Sequence, residues 1–248
     1  MNFRTDFALD RKINYTESNK IIKDNIKIIY SKNKKILYNT IIFKDTNNEN
    51  KLINIIKEEL LTFLKKYNIN KNNHIFIIGL GNESNTADSI GPKALKYINI
   101  NSHLFNLNIN IPYIKVSALE PGVLGTTGID TSEIIKSVSD KIKPDLIILI
   151  DSFITNNVDY LNKTIEISNT GIKPGSGIRG NNSKISENIL KIPIITIGIP
   201  VCIEYKNNNN TLLVSTSDID EYVNKISKII GTSINEVLYQ LYLSSTPL

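Results

Sequence analysis

The chain has 248 residues, a formal charge of +5, 41% hydrophobic and 21% charged residues, and one cysteine. That is enough chain to bury a full core as one large domain, and a lone Cys202 excludes an intramolecular disulfide framework and suits a reducing compartment. The lysines are scattered and only Arg4, Arg11 and Arg179 are arginines, so no basic stripe with stacking rings suggests direct nucleic-acid binding.

No apolar run reaches the roughly 18–20 residues that cross a bilayer, and "MNFRTDFALDRK" lacks the apolar core of a secretory signal, so no membrane partner is expected. Residues 1–20 read as a short polar segment with little packing, and residues 21–248 as one α/β domain. "IKDNIKIIY" and "KKILYNTIIF" predict two strands of a hairpin turning near "SKNK". Leu52, Ile55, Ile56, Leu60 and Leu64 recur at helical spacing and predict an amphipathic helix. Strands are then predicted at about 74–79, 112–117, 145–150, 163–168 and 193–199, with helices at about 88–99, 131–141, 217–230 and 233–243. The runs are apolar throughout and alternate with helices, which predicts a mostly parallel central sheet flanked by helices. Cys202, inside "IGIPVCIEY", reads as a buried inert thiol.

In open parallel sheets, ligands gather beyond the carboxyl ends of the strands. "GLGNESNTADSIGP" follows the first core strand, "SALEPGVLGTTGIDTSE" the second, and "SNTGIKPGSGIRGNN" the fourth, while Asp151 ends the third. Gly79-x-Gly81 lacks the third glycine of a dinucleotide fingerprint, and the loop is not a phosphate-binding P-loop. His74 and His103 lie outside these glycine loops, no G-x-S-x-G elbow occurs, and no zinc-ligand spacing is present. Asp88 and Asp151 remain as candidates. Asp88 is open to two readings, a helix cap or half of a catalytic pair, and Asp151 could equally satisfy loop amides. As a pair they could share a proton near neutrality and activate water.

The segments "GLGNESNTADSIGPKAL", "VSALEPGVLGTTGIDTSEIIK", "KPDLIILIDSF", "ISNTGIKPGSGI" and "IPIITIGIPV" together resemble the germination protease family of spore-forming bacteria. The resemblance runs from about residue 74 to 201, with a matching tail in "VSTSDIDEYVNKISKII". It implies an atypical endopeptidase without a cofactor or bound metal, with a fold similar to that of hydrogenase-maturation endopeptidases. It implies catalytic roles for Asp88 and Asp151, small acid-soluble spore proteins as substrate, a cytoplasmic location in the spore core or forespore, and a tetrameric homo-oligomer. Gly125, Thr127, Gly128, Gly171, Gly175 and Gly177 would frame the substrate or its oxyanion, and Arg179, Lys173 or Lys93 could receive an acidic substrate residue. "RTDFA" resembles the family's self-processing site, which would place a cut between Asp6 and Phe7 and make the start of the chain a pro-segment. The chain departs from the family pattern in three places. Asn169 stands where an aspartate is usual, "NESN" replaces an aromatic-containing loop, and the short polar stretch after "IGIPV" stands where a long insertion is usual. A compact metal-dependent maturation-type endopeptidase and a non-catalytic binding paralogue are the alternative readings.

Overall fold

The computed structural model describes residues 7–10, 15, 17–23, 25–173, 184–207 and 210–245. Among these, nine strands form one sheet. The strands are β1 (Glu17–Lys23), β2 (Ile26–Asn33), β3 (Ile36–Ile42), β4 (His74–Gly79), β5 (Lys115–Leu119), β6 (Leu146–Thr155), β7 (Thr164–Ser168), β8 (Ile194–Asn207) and β9 (Asn210–Val214). Their order is β1-β2-β3-β7-β8-β6-β4-β5, with β9 paired to β8. Only the β4–β5, β4–β6 and β6–β8 pairings are parallel. The others are antiparallel. The sheet is therefore mixed, which corrects the expectation of a mostly parallel one. The physical reason lies in the connections: β7 returns from β6 without a long crossover helix, and β1–β3 form a meander whose alternating burial marks a half-exposed surface.

The meander has three strands where two were predicted. Asn25 takes a left-handed conformation with φ 66°, which turns the chain inside the predicted first strand. The helices are α1 (Glu49–Lys66), α2 (Ile90–Leu95), α3 (Ser102–Asn106), α4 (Leu124–Thr127), α5 (Thr131–Ile142), α6 (Glu187–Leu190) and α7 (Ile219–Ser244). Asn48 caps α1 by accepting the Lys51 N–H, and Asp130 caps α5 by accepting the Ser132 N–H. The two helices predicted at the carboxyl end are one, α7. Its Gly231 lies against Tyr97 and the Ala94 carbonyl, where a Cβ would meet Tyr97 Cβ at 2.6 Å. This glycine lets α2 and α7 approach closely and does not end the helix.

Two apolar layers sandwich the sheet. On one face, Ile75, Ile77, Ile148 and Ile150 pack against α1 and α7 through Leu52, Ile56, Leu60, Ile226 and Ile230. On the other, Phe76, Ile78, Ile147, Leu149 and Phe153 pack with Ile135 of α5 and with Ile172 and Ile185. Each fully buried side chain contributes about 1.5–3 kcal/mol relative to exposure. Glu59 sits on the buried face of α1, 5% exposed, and accepts from the Tyr30 hydroxyl at 2.9 Å and Asn39 Nδ2 at 2.7 Å. Phe7 and Ala8 are also buried, so part of the segment expected to pack little is anchored. No helix among the described residues is long and apolar enough to cross a membrane.

Candidate active site

The connection leaving β4 runs to β5 on one side, while that leaving β6 runs to β7 and β8 on the other. The carboxyl ends of β4 and β6 therefore flank a topological switch point, the place in an open α/β sheet where ligand sites generally lie. β4 pairs with β6 up to Gly79 and Ile150, and the Leu80 N–H donates to the Ile150 carbonyl at 2.9 Å. β4 then leaves the sheet. β6 does not end there, as predicted, but continues to Thr155 beside β8. Asp151 is thus the first residue of β6 exposed to the gap that β4 vacates. Strand alternation puts it on the Leu149 and Phe153 face. It is 9% exposed, and its Oδ1 accepts the Ser152 N–H at 2.9 Å.

Asp88 arrives on the loop that follows β4. That loop folds back on itself because Gly81, at φ 117°, permits it; a Cβ there would lie 1.9 Å from the Asp88 carbonyl oxygen. Gly91 then packs the start of α2 directly onto the strand ends, where a Cβ would meet the Leu80 and Ile150 carbonyls. A 3₁₀ turn, Thr86–Asp88, carries the aspartate, and Thr86 Oγ1 donates to Asp220 Oδ1 at 2.7 Å, tying the turn to the first turn of α7. The N-cap position of α2 belongs to Ser89, with no side-chain cap, so Asp88 does not serve as the helix cap.

Burial pushes the Asp88 carboxyl up to about 6, while a hydrogen bond from the Asn82 backbone favours its ionised form and works against the rise. The cause is desolvation and not the like-charge repulsion anticipated for a carboxylate pair. Cys202 lies within the field of Asp88, and its thiol is pushed up to about 11, first by burial and then by that charge. It is buried and carries no thiolate near neutral pH, so it acts as core.

The remaining candidates divide. Gly125, Thr127 and Gly128 lie on the exposed turn around α4. The Thr127 and Gly128 N–H groups already donate to the Val123 and Leu124 carbonyls. Gly171 lies against the Ile185 carbonyl, beside the isolated antiparallel bridge between Ile172 and Ile185. Gly175, Gly177 and Arg179 fall outside the described residues, as does Asp6. Lys173 is exposed and Lys93 half-buried in α2. Asn169 is held away from this crevice by β3. Its Oδ1 accepts the Leu37 N–H at 2.7 Å and its Nδ2 donates to the Lys35 carbonyl at 3.2 Å. His74 sits at the opposite end of β4, bonded to Ser117 Oγ at 2.8 Å, and burial lowers its pKa. Among the described residues, no group of three or more His, Cys, Asp or Glu is placed to hold a metal.

Sequence reasoning missed Glu166. It is 3% exposed in β7, and its register partner is Gly198, which in turn pairs with Asp151. The available signal was a carboxylate between isoleucines in "TIEIS", a strand with every residue buried.

Residues 10–210 match the family model described as Peptidase_A25, germination protease. The germination protease of Oceanobacillus iheyensis is 34% identical over 256 aligned residues, which cover 90% of this chain and 68% of that protein. Those of Bacillus subtilis and Priestia megaterium are each 41% identical over 64% and 65% of this chain, but over only 44% of their own length. In these two comparisons, the match spans less than half of the relative. With a family model covering most of its length, the chain belongs to the germination protease family, a family of peptidases.

Proposed function

We propose that this chain is an endopeptidase that hydrolyses small acid-soluble spore proteins during germination, with Asp88 and Asp151 as its catalytic carboxylates. The observation that carries the reading is their position on either side of the β4/β6 switch point, one on the loop leaving β4 and one on β6 where β4 departs. A carboxylate raised to about 6 suits a general base, because it is mostly ionised at neutral pH yet retains basicity. Asp88 takes a proton from water as its oxygen attacks the scissile carbonyl, and returns it to the leaving amine when the C–N bond breaks. Asp151 orients that water. The likeness to hydrogenase-maturation endopeptidases belongs to this reading, as do the self-processing cut before Phe7, the spore location and the oligomer.

The test is cleavage of a synthetic peptide containing Thr-Glu-Phe-Ala, located by mass spectrometry, for wild type, Asp88→Asn and Asp151→Asn. Each substitution is expected to lower kcat/KM by about 10²–10⁴-fold, the usual worth of a positioned acid or base. EDTA is expected to leave the wild-type rate unchanged. A rate that chelation abolishes would favour the metal-dependent maturation-type reading. A folded wild type that cleaves nothing would favour a binding paralogue.

A further inference from the structure

Beside the start of α7 lies a cavity of about 340 Å³ that neither Asp88 nor Asp151 lines. Three segments wall it: the connection from β3 to α1, the chain entering β7, and the first turns of α7. The Phe43 N–H donates to the Lys163 carbonyl at 2.9 Å and holds the first two together. Asn162 takes a left-handed conformation at φ 55°, which turns the chain towards β7. Its Nδ2 donates to Thr216 Oγ1 at 2.6 Å, just ahead of α7. The volume is near the lower end of the roughly 300–1,000 Å³ typical of small-molecule sites, so a fitting occupant is small.

Charges of both signs line this one space. Lys44, Lys163 and Lys225 contribute to it, as do Asp45, Asp218 and Glu221. Among the described residues, none of the six makes an ion pair. Glu221 precedes Lys225 by four positions on α7, the order and spacing that favour pairing on a helix, yet the two stay apart. Val158, Leu161 and the Tyr222 ring add apolar wall. Two buried atoms of wall residues, the Tyr222 hydroxyl and Asn162 Oδ1, have no hydrogen-bond partner. Such atoms are costly to bury, and here one can donate while the other only accepts.

The chemistry that answers this lining carries a cation, an anion and an apolar body in one small molecule. A metal ion would answer the carboxylates alone, and among the described residues no group of three or more His, Cys, Asp or Glu is placed to hold one. An inorganic anion would answer the lysines alone. We propose that the cavity binds a free α-amino acid with an apolar side chain. Its carboxylate is met by Lys225 and Lys163, its ammonium by Glu221 and Asp218, and its side chain by Val158, Leu161 and Tyr222. The site is separate from the carboxylates assigned to hydrolysis and does not depend on that assignment.

The test is equilibrium dialysis of radiolabelled leucine against the full chain. Saturable uptake of one leucine per chain is expected. Leucinamide lacks the carboxylate and N-acetyl-leucine lacks the ammonium, so each is expected to compete at least tenfold less well than leucine. Lys225→Gln and Glu221→Gln are each expected to weaken leucine binding at least threefold. Neither substitution breaks an ion pair, and circular dichroism checks that both chains fold. A wild-type chain that takes up no leucine at millimolar concentration overturns the proposal. N-acetyl-leucine that competes as well as leucine would mark a site for anions only and overturns it too, as does uptake that both substitutions leave unchanged. A chain that takes up leucine but cleaves no peptide refutes the proposed catalysis alone. A chain that cleaves but takes up no leucine refutes this site alone.

Discussion

Asp88 couples its proton to both chemistry and stability, in opposite directions. As a base it works when ionised, so kcat/KM should rise with pH through about 6 and level off above. Its folded pKa is raised above the ordinary aspartate value of 3.8, so its stabilising contribution is full below that value and is lost as pH rises through about 6. Asp88→Asn removes the buried charge while keeping an acceptor for Asn82. It should therefore raise stability at pH 8 by on the order of 1 kcal/mol and leave it unchanged at pH 4, as measured by thermal unfolding at both pH values. Asn169 makes the contrasting case. Its amide both accepts from Leu37 and donates to Lys35, and a carboxylate can only accept. Asn169→Asp should cost about 1 kcal/mol in urea unfolding while kcat/KM stays as it was. A change in the pH profile of cleavage instead would mean that this position reaches the chemistry.

Among the elements, β8 does most to organise the site, because it separates Asp151 from Glu166. Gly198 lies where a Cβ would approach Phe153 Cε2 to 1.9 Å, so the ring and the glycine share one volume. Gly198→Ala should cost about 1–3 kcal/mol by forcing Phe153 out of its rotamer. The same change should cost far less in a Phe153→Ala background, and urea unfolding of the four members of that double-mutant cycle checks the coupling. The β4 loop was legible in the sequence because glycines at 79, 81 and 91 bracket a short polar stretch that ends in Asp88. The strand β6 was legible only as far as Ile150. Its continuation carries Asp151, Ser152 and Thr155, polar residues that read as an ending. They remain in a strand because β8 supplies partners that no local signal announces. The β8–β9 hairpin ends in exposed Leu212, Leu213 and Val214.

At the scale of the molecule, the two apolar layers make the fold depend on one continuous sheet. Cys202 reports on it, since its partner across β6 is Ile154 in the same layer as α7. With the thiol buried and pushed up to about 11, iodoacetamide at pH 7.5 should leave the native chain unmodified. Labelling should rise only across the global urea transition; labelling well before it would show that β8 opens as a separate unit.

Hydrophobic period and end signals, which are local, determined the helices α1 and α5, the strands β4 and β7 within a residue, and the glycine loop that presents Asp88. They also contained the family pattern, because that pattern is a string of loop motifs in order. The direction of β7, the third strand of the meander, the joining of α7 and the row that aligns Asp151 with Glu166 were decided only in three dimensions. Each depends on which strands are neighbours. An apolar strand buried on both faces carries no mark of its partner's direction, and register across β8 follows from long-range pairing that no window of residues contains.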